Sequence, residues 1–227
     1  MVDVIYEDNH IIVCTKPQNV ATQADISGDE DMLNMVKMYV KEKYNKQGNV
    51  YVGLVHRLDR PTGGVMVFAK TSKAAGRLCE QIKQNIFKKK YYAVVVGEPR
   101  IKTATLKNYL KKDEKENIVK IVPQTLSGAK YAELSYNTLK TNNKLSLVDV
   151  DLKTGRSHQI RVQLAYNGNP IFGDAKYSTK INGQNLSLWA YYLEFIHPTT
   201  KQKMTFKVLP PMETQPWKNF EDIISKN

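Results

Sequence analysis

The chain has 227 residues, 41% hydrophobic and 25% charged, the composition of a water-soluble globular protein long enough to bury a proper core. No apolar run approaches the ~20 residues that a bilayer-crossing helix needs, which argues against a helical membrane protein. Lys and Arg outnumber Asp and Glu by 34 to 22, and the net charge of +12 suits a polyanionic partner such as RNA, DNA or an anionic membrane surface.

The start, Met1 to Asp8, has no basic region followed by an apolar core. No signal peptide is expected there, and a cytoplasmic protein follows. Val4 to Tyr6 and Ile11 to Cys14 are short apolar runs around Glu7-Asp8-Asn9-His10, the pattern of a small hairpin that ends at Lys16-Pro17. Ser27-Gly28-Asp29-Glu30 has the spacing of a capping box. Met32, Leu33, Val36, Tyr39, Val40 and Tyr44 follow at helical intervals, so the pattern predicts a helix from about Asp29 to Tyr44. A basic amphipathic helix with bulky apolar residues opposite its cations, the mark of a membrane-surface protein, is not found.

The next stretch, Leu54 to Gly64, organises the chain. Asp59 is the sole carboxylate between Glu42 and Glu80, an interval holding Lys43, Lys46, Arg57, Arg60, Lys70, Lys73 and Arg77. One cation a few ångströms away is worth about 4 kcal/mol at the dielectric of a protein surface, which holds an acid in its charged form. Asp59 is therefore expected to act as a nucleophile or base rather than as a proton donor. Pro61 pushes Arg60 out of the helical region, and Gly63 and Gly64 allow a sharp turn into the apolar strand Val65 to Ala69. Taken alone, such an Asp could equally just bond the backbone of its own turn.

Beyond it, Thr71 or Ser72 can cap a second helix with Ala75, Leu78, Ile82 and Ile86 on its apolar face. Lys88-Lys89-Lys90 runs into Tyr91 to Gly97, a strand of strong β-formers, and cations beside aromatics suit stacking and phosphate contacts. Residues 101–152 read as antiparallel strands at Thr103 to Tyr109, Asn117 to Val122, Ala129 to Leu139 and Leu145 to Leu152, with turns at Asp113-Glu114, Ser127-Gly128 and Asn142-Asn143. Asp149 and Asp151 alternate with Val148, Val150 and Leu152 and are expected to face water. Thr154 to Ala165 breaks the β pattern. A short helix capped by Ser157 and leaving at Gly168 is favoured, although Ile160, Val162 and Leu164 also alternate as a strand would. Asn169 to Asp174 is a turn, Leu186 to Ile196 with Met204 to Val208 makes a closing hairpin, and the tail beyond Pro210-Pro211 is weakly amphipathic.

Cys14 and Cys79 form no metal or redox spacing and read as small core residues, and His10, His56, His158 and His197 show no ligand pattern, so no metal is expected. A phosphate loop and a dinucleotide fingerprint are also missing, so no cofactor is expected. The order of elements predicts an α+β protein, read as a single domain over residues 1–227.

Several stretches carry a resemblance. His56-Arg57-Leu58-Asp59-Arg60-Pro61-Thr62-Gly63-Gly64 resembles the catalytic motif of the RluA family of pseudouridine synthases. Ile11 to Pro17 resembles that family's N-terminal strand ending in Lys-Pro, and Lys89 to Gly97 its Lys-x-Tyr-x-Ala segment. Thr154 to Arg161 with Pro170 and Gly173-Asp174 resembles its third motif, and Leu193 to Pro198 its closing strand. Departures are Gly63 where Ser is commoner, Gln163 and Trp189 where His is common, and Gln18-Asn19 after Lys-Pro. They bear on substrate fit more than on chemistry. The family's optional N-terminal RNA-binding module is not expected here.

The resemblance implies an extended, mixed but largely antiparallel sheet flanked by helices and loops, with a catalytic cleft across its centre. It implies isomerisation of specific uridines in structured RNA, ribosomal or transfer, to pseudouridine. Asp59 is then the nucleophile, Tyr91 lies against the target base, Arg161 pairs with Asp59, and Arg57 enters the stack that the flipped uridine leaves. His56, Arg60, Lys16, Lys89, Arg156, His158 and Gln159 are the further residues expected to meet RNA. Attack at C1′, attack at C6 and elimination through a glycal stay open as routes. No obligatory protein partner is evident, and a monomer is the default. The competing readings are a catalytically silent RNA-binding or RNA-chaperone protein on the same fold and, less fittingly, a metal-assisted nuclease using Asp59, Asp149 and Asp151, which lacks His or Glu ligands at useful spacing.

Overall fold

The computed structural model describes residues 2–25, 27–142, 144–178 and 185–226. The fold is α+β, and its register-defined strand pairings are all antiparallel. The chain forms two compact units, each drawn from two stretches: residues 1–88 with 190–208, and residues 89–189 with 209–227.

In the first unit β1 (Asp3–Glu7) and β2 (Ile11–Lys16) form the expected hairpin, with an irregularity between Val4 and Tyr6. β2 pairs with β4 (Gly63–Ala69), and β4 also carries β3 (Gly53–Leu54) and β10 (Leu188–Ile196). β10 closes on β11 (Lys203–Lys207). Every residue of β4 is buried, so its apolar residues run without alternation, as in a strand covered on both faces. Gly64 has φ +127°, and a Cβ there would stand 2.2 Å from the carbonyl oxygen of Ala190. Only glycine permits β10 to come that close.

Helix α1 (Met32–Lys43) begins later than the capping box suggested. Asp31 is the N-cap, its carboxylate accepting from the Asn34 amide at 3.1 Å, while Ser27 is bonded by Arg60 at 2.6 Å. Thr71 caps α2 (Ser72–Lys83) as expected, accepting from Ala74. The apolar face differs at its end: the helix stops at Lys83, Ile86 is exposed, and Phe87 is buried against Phe195 and His56. Glu7 ties α1 to the strands. Its side chain is 5% exposed and meets Lys43 at 2.7 Å and Lys70 at 2.5 Å. Against burial, which raises it, hydrogen bonds from Lys43, Lys70 and Tyr44 hold its carboxyl down at about 2.

In the second unit the strands run in the order β5 (Lys88–Val96), β9 (Leu145–Leu152), β8 (Lys130–Asn142), β6 (Thr103–Asp113), β7 (Ile118–Val122). β6 runs on to Asp113, four residues past its expected end, because Tyr109 to Asp113 continue in register with β7. Asn143, half of an expected turn, lies outside the described residues. The residues of β8 alternate between buried and accessible, so this sheet has one covered face. Leu110, Val119 and Ala132 pack there against Val162 of α3 (Gln159–Tyr166). Asp149 and Asp151 are half-buried, and Asp151 meets Lys153 at 2.6 Å. In the tail, Trp217, Phe220 and Ile224 are buried in a short 3₁₀ turn and α4 (Glu221–Ile224).

Helix is therefore the outcome for the Thr154 to Ala165 stretch. Its cap is not Ser157: His158 takes the N-cap position in the left-handed region at φ 50° and makes no side-chain cap. Gln159 through Leu164 are all buried, which is why Ile160, Val162 and Leu164 could also be read as the alternation of a strand.

Candidate active site

Asp59 stands in an irregular segment between β3 and β4. The amide of Thr62 donates to the Asp59 carbonyl at 2.9 Å, closing a four-residue turn with Asp at the first position, where it is favoured. What fixes this turn comes from far along the chain. The Lys16 side chain is fully buried, and its ammonium donates to the carbonyls of Pro17 at 2.9 Å, Val20 at 2.6 Å and Arg60 at 3.0 Å. Burial pushes Lys16 down to about 7, while the Asp59 charge pulls it back up. The Thr22 hydroxyl donates to the Leu58 carbonyl at 2.8 Å and accepts from the Leu58 amide at 3.2 Å. Gln18 donates to the Pro61 carbonyl at 3.1 Å.

The remaining residues of this motif face different ways. His56 Nε2 accepts from the Val67 amide at 3.2 Å and its ring meets Phe87 edge-on at 5.4 Å, so it is turned toward β4. Arg57 is exposed beside buried Leu58. Arg60 grips the loop before α1, donating to Asp29 at 2.8 Å and to Ser27 at 2.6 Å. Lys16 and Arg60, both expected at RNA, thus hold the Asp59 turn and its neighbouring loop.

A second constellation lies in the other unit, at the start of α3. Arg161 is 3% exposed and forms a forked pair with fully buried Asp174, Nε to Oδ2 at 2.8 Å and Nη2 to Oδ1 at 2.7 Å. Asp174 Oδ1 also accepts from the amides of Lys176 and Tyr177. The Tyr177 ring lies 5.3 Å from the Arg161 guanidinium, and its hydroxyl lies 2.8 Å from His158 Nδ1 and accepts from the Val119 amide at 2.8 Å. Gln159 binds Thr154, Arg156 and Glu133 and so ties the loop to β8. Arg156 is exposed, with Nε donating to the Tyr131 carbonyl at 2.9 Å. Tyr91 is 5% exposed on β5, opposite Val150, and the ammonium of Lys89 stands 3.2 Å from where a side chain on Gly155 would begin. Burial lowers the Lys89 ammonium.

Sequence reading did not single out Asp174, Tyr177, Thr22 or Gln18 as site residues. For Asp174 a signal existed, since Gly173-Asp174 belongs to the third motif of the resemblance and a buried Arg requires a carboxylate. Thr22 and Gln18 left none, because their bonds are to main-chain atoms some 40 positions away. Among the described residues no cluster of His, Cys, Asp and Glu is placed to hold a metal ion, and no helix is long and apolar enough to cross a membrane.

A family model described as RNA pseudouridylate synthase matches residues 10–166. The chain is 32% identical over 229 residues to the ribosomal large subunit pseudouridine synthase C of Buchnera aphidicola subsp. Baizongia pistaciae, spanning 92% of this chain and 67% of that protein. It is 34% identical over 206 residues to the uncharacterized RNA pseudouridine synthase YhcT of Bacillus subtilis strain 168, spanning 88% and 66%. The chain thus spans about two thirds of the length of these relatives. Among solved structures, human RNA pseudouridylate synthase domain containing 4 superposes with a TM-score of 0.78 at 21% identity, covering 98% of this chain and 93% of that one.

Proposed function

The chain belongs to the RNA pseudouridylate synthase family, the RluA-type enzymes that its motifs resemble, and on that premise we propose that it isomerises uridines of structured RNA with Asp59 as nucleophile. The observation that carries this reading is the Asp59 turn, which lies inside the matched region and is held by a buried ammonium on the carbonyls beside it.

The reaction breaks the bond from N1 to C1′ and makes one from C5 to C1′. The C5 proton leaves and N1 gains one, so no oxidant, reductant or second substrate is consumed. A carboxylate suffices as the reacting group, and the rest of the work is holding the base and the ribose. Asp59 supplies the carboxylate. Tyr91 offers a flat ring for the base and Arg161 a permanent positive charge to serve the acid. Exposed Arg57 suits the place a flipped uridine vacates in the stack, offsetting an unstacking cost of a few kcal/mol.

The relatives that are ribosomal large subunit pseudouridine synthases favour large-subunit ribosomal RNA as the first substrate, and a cytoplasmic site of action follows from that choice. Pseudouridine mapping of total RNA from cells lacking the gene tests the proposal. Rescue with wild type is expected to restore the lost sites, and rescue with Asp59→Asn to restore none while the protein folds and binds RNA. Full restoration by Asp59→Asn would remove Asp59 from the chemistry.

A further inference from the structure

We propose that the open face of the second unit's sheet is an RNA-binding platform, with bases of a single-stranded stretch stacking on Tyr109 and Tyr131 and phosphates meeting Lys111, Lys120 and Arg156. The inference rests on the reading that the chain acts on RNA and adds a surface on the side of the sheet away from α3.

The pleat defines the platform. Leu110 and Ala132 point to the covered face with Val162, so their neighbours Tyr109, Lys111 and Tyr131 point the other way. Tyr109 and Tyr131 are directly opposite in the β6–β8 register, their rings 5.7 Å apart and edge-on at 65°. Tyr131 is 37% exposed. Large aromatics left at the surface of an open sheet gain little from burial, yet they present the flat apolar faces on which unpaired bases of any sequence stack.

The charges around the pair are arranged for an anion. Lys111 and Lys120 are directly opposite in the β6–β7 register, and like charges so placed repel. The neighbouring carboxylate of Glu116, 3.7 Å from Lys120, is as exposed as the lysine and does little to offset this. A phosphate between the two lysines turns the repulsion into a pair of attractions. Glu133, beside the tyrosines, accepts from the Tyr131 hydroxyl and stands opposite Lys107, whose charge opposes its own. Arg156 closes the patch, its Nε bonded to the Tyr131 carbonyl, and places it next to the loop that leads into Arg161. An RNA segment can thus be held on this face without any sequence preference, by charge and stacking alone.

Two variants of the full chain test this, Lys111→Gln/Lys120→Gln and Tyr131→Ala, with a fluorescein-labelled oligouridylate 12-mer as the binding probe and deproteinised RNA from cells lacking the gene as substrate. The lysine pair is expected to weaken 12-mer binding and to make its dependence on log salt shallower by about 1.4, the value for two lost phosphate contacts on a single strand. Tyr131→Ala is expected to weaken binding about tenfold, as for one lost base stack. Both should raise KM more than they lower kcat, and the lysine variant should melt no lower than wild type because it relieves repulsion. Wild-type affinity and salt slope in both variants would overturn the platform. Asp59→Asn separates the two readings: it should bind the 12-mer as wild type does. If wild type itself forms no pseudouridine while the face variants still lose the 12-mer, the catalytic reading fails and the platform stands.

Discussion

The Asp59 turn and the start of α3 both present a charged side chain, and they hold it by opposite means. At Asp59 the backbone is irregular, and the contacts that fix it end on main-chain atoms: Lys16 on the Arg60 carbonyl, Thr22 on both groups of Leu58, Gln18 on the Pro61 carbonyl. At α3 the helix already fixes the main chain. There the charged group is itself gripped by a side chain, in the forked Arg161–Asp174 pair, with the Tyr177 hydroxyl beside His158. A loop needs its path defined before any side chain on it can be aimed, whereas a helix needs only its rotamers chosen. Damage to the first region should thus appear as backbone loosening, and damage to the second as a lost buried ion pair.

The largest effect expected from that contrast is at Asp174. Asp174→Ala takes the forked partner from a guanidinium that is 3% exposed and should cost about 3–5 kcal/mol in urea unfolding. A loss under 1 kcal/mol would mean that the pair contributes orientation and not stability. Lys16→Met keeps the length of the side chain but strips its bonds from the carbonyls of Pro17, Val20 and Arg60, and should cost about 1–3 kcal/mol. Its particular mark is local: amide exchange at Thr62, protected by its bond to the Asp59 carbonyl, should quicken more than exchange in β4. Uniform quickening across the unit would erase the distinction between the two regions. The smallest effect is at Tyr177→Phe, which keeps the ring over Arg161 and loses the hydroxyl bridging His158 and the Val119 amide. About 1 kcal/mol is expected, with Thr62 exchange unchanged.

The elements whose residues alternate or recur with a clear period were legible. β9 was bounded at Leu145 and Leu152 from alternation alone, and α2 began where Thr71 offered a cap. The start of α1 was misjudged because Ser27 and Asp31 both satisfy the local rule, and a distant residue, Arg60, takes Ser27. At α3 the periodic signal was shared between helix and strand because protein surrounds all sides of Gln159 to Leu164.

The sequence by itself determined the family, because its short contiguous motifs, that of Asp59 among them, keep a spacing that survives in one dimension. Only the tertiary structure decided which cations are buried scaffolding and which stay at the surface. Lys16 and Arg57 are both basic residues of recognisable motifs, yet one is fully buried on main-chain carbonyls and the other is exposed. A charge in a sequence carries no record of its desolvation, and desolvation is what separates an ammonium that binds carbonyls from a guanidinium left in water.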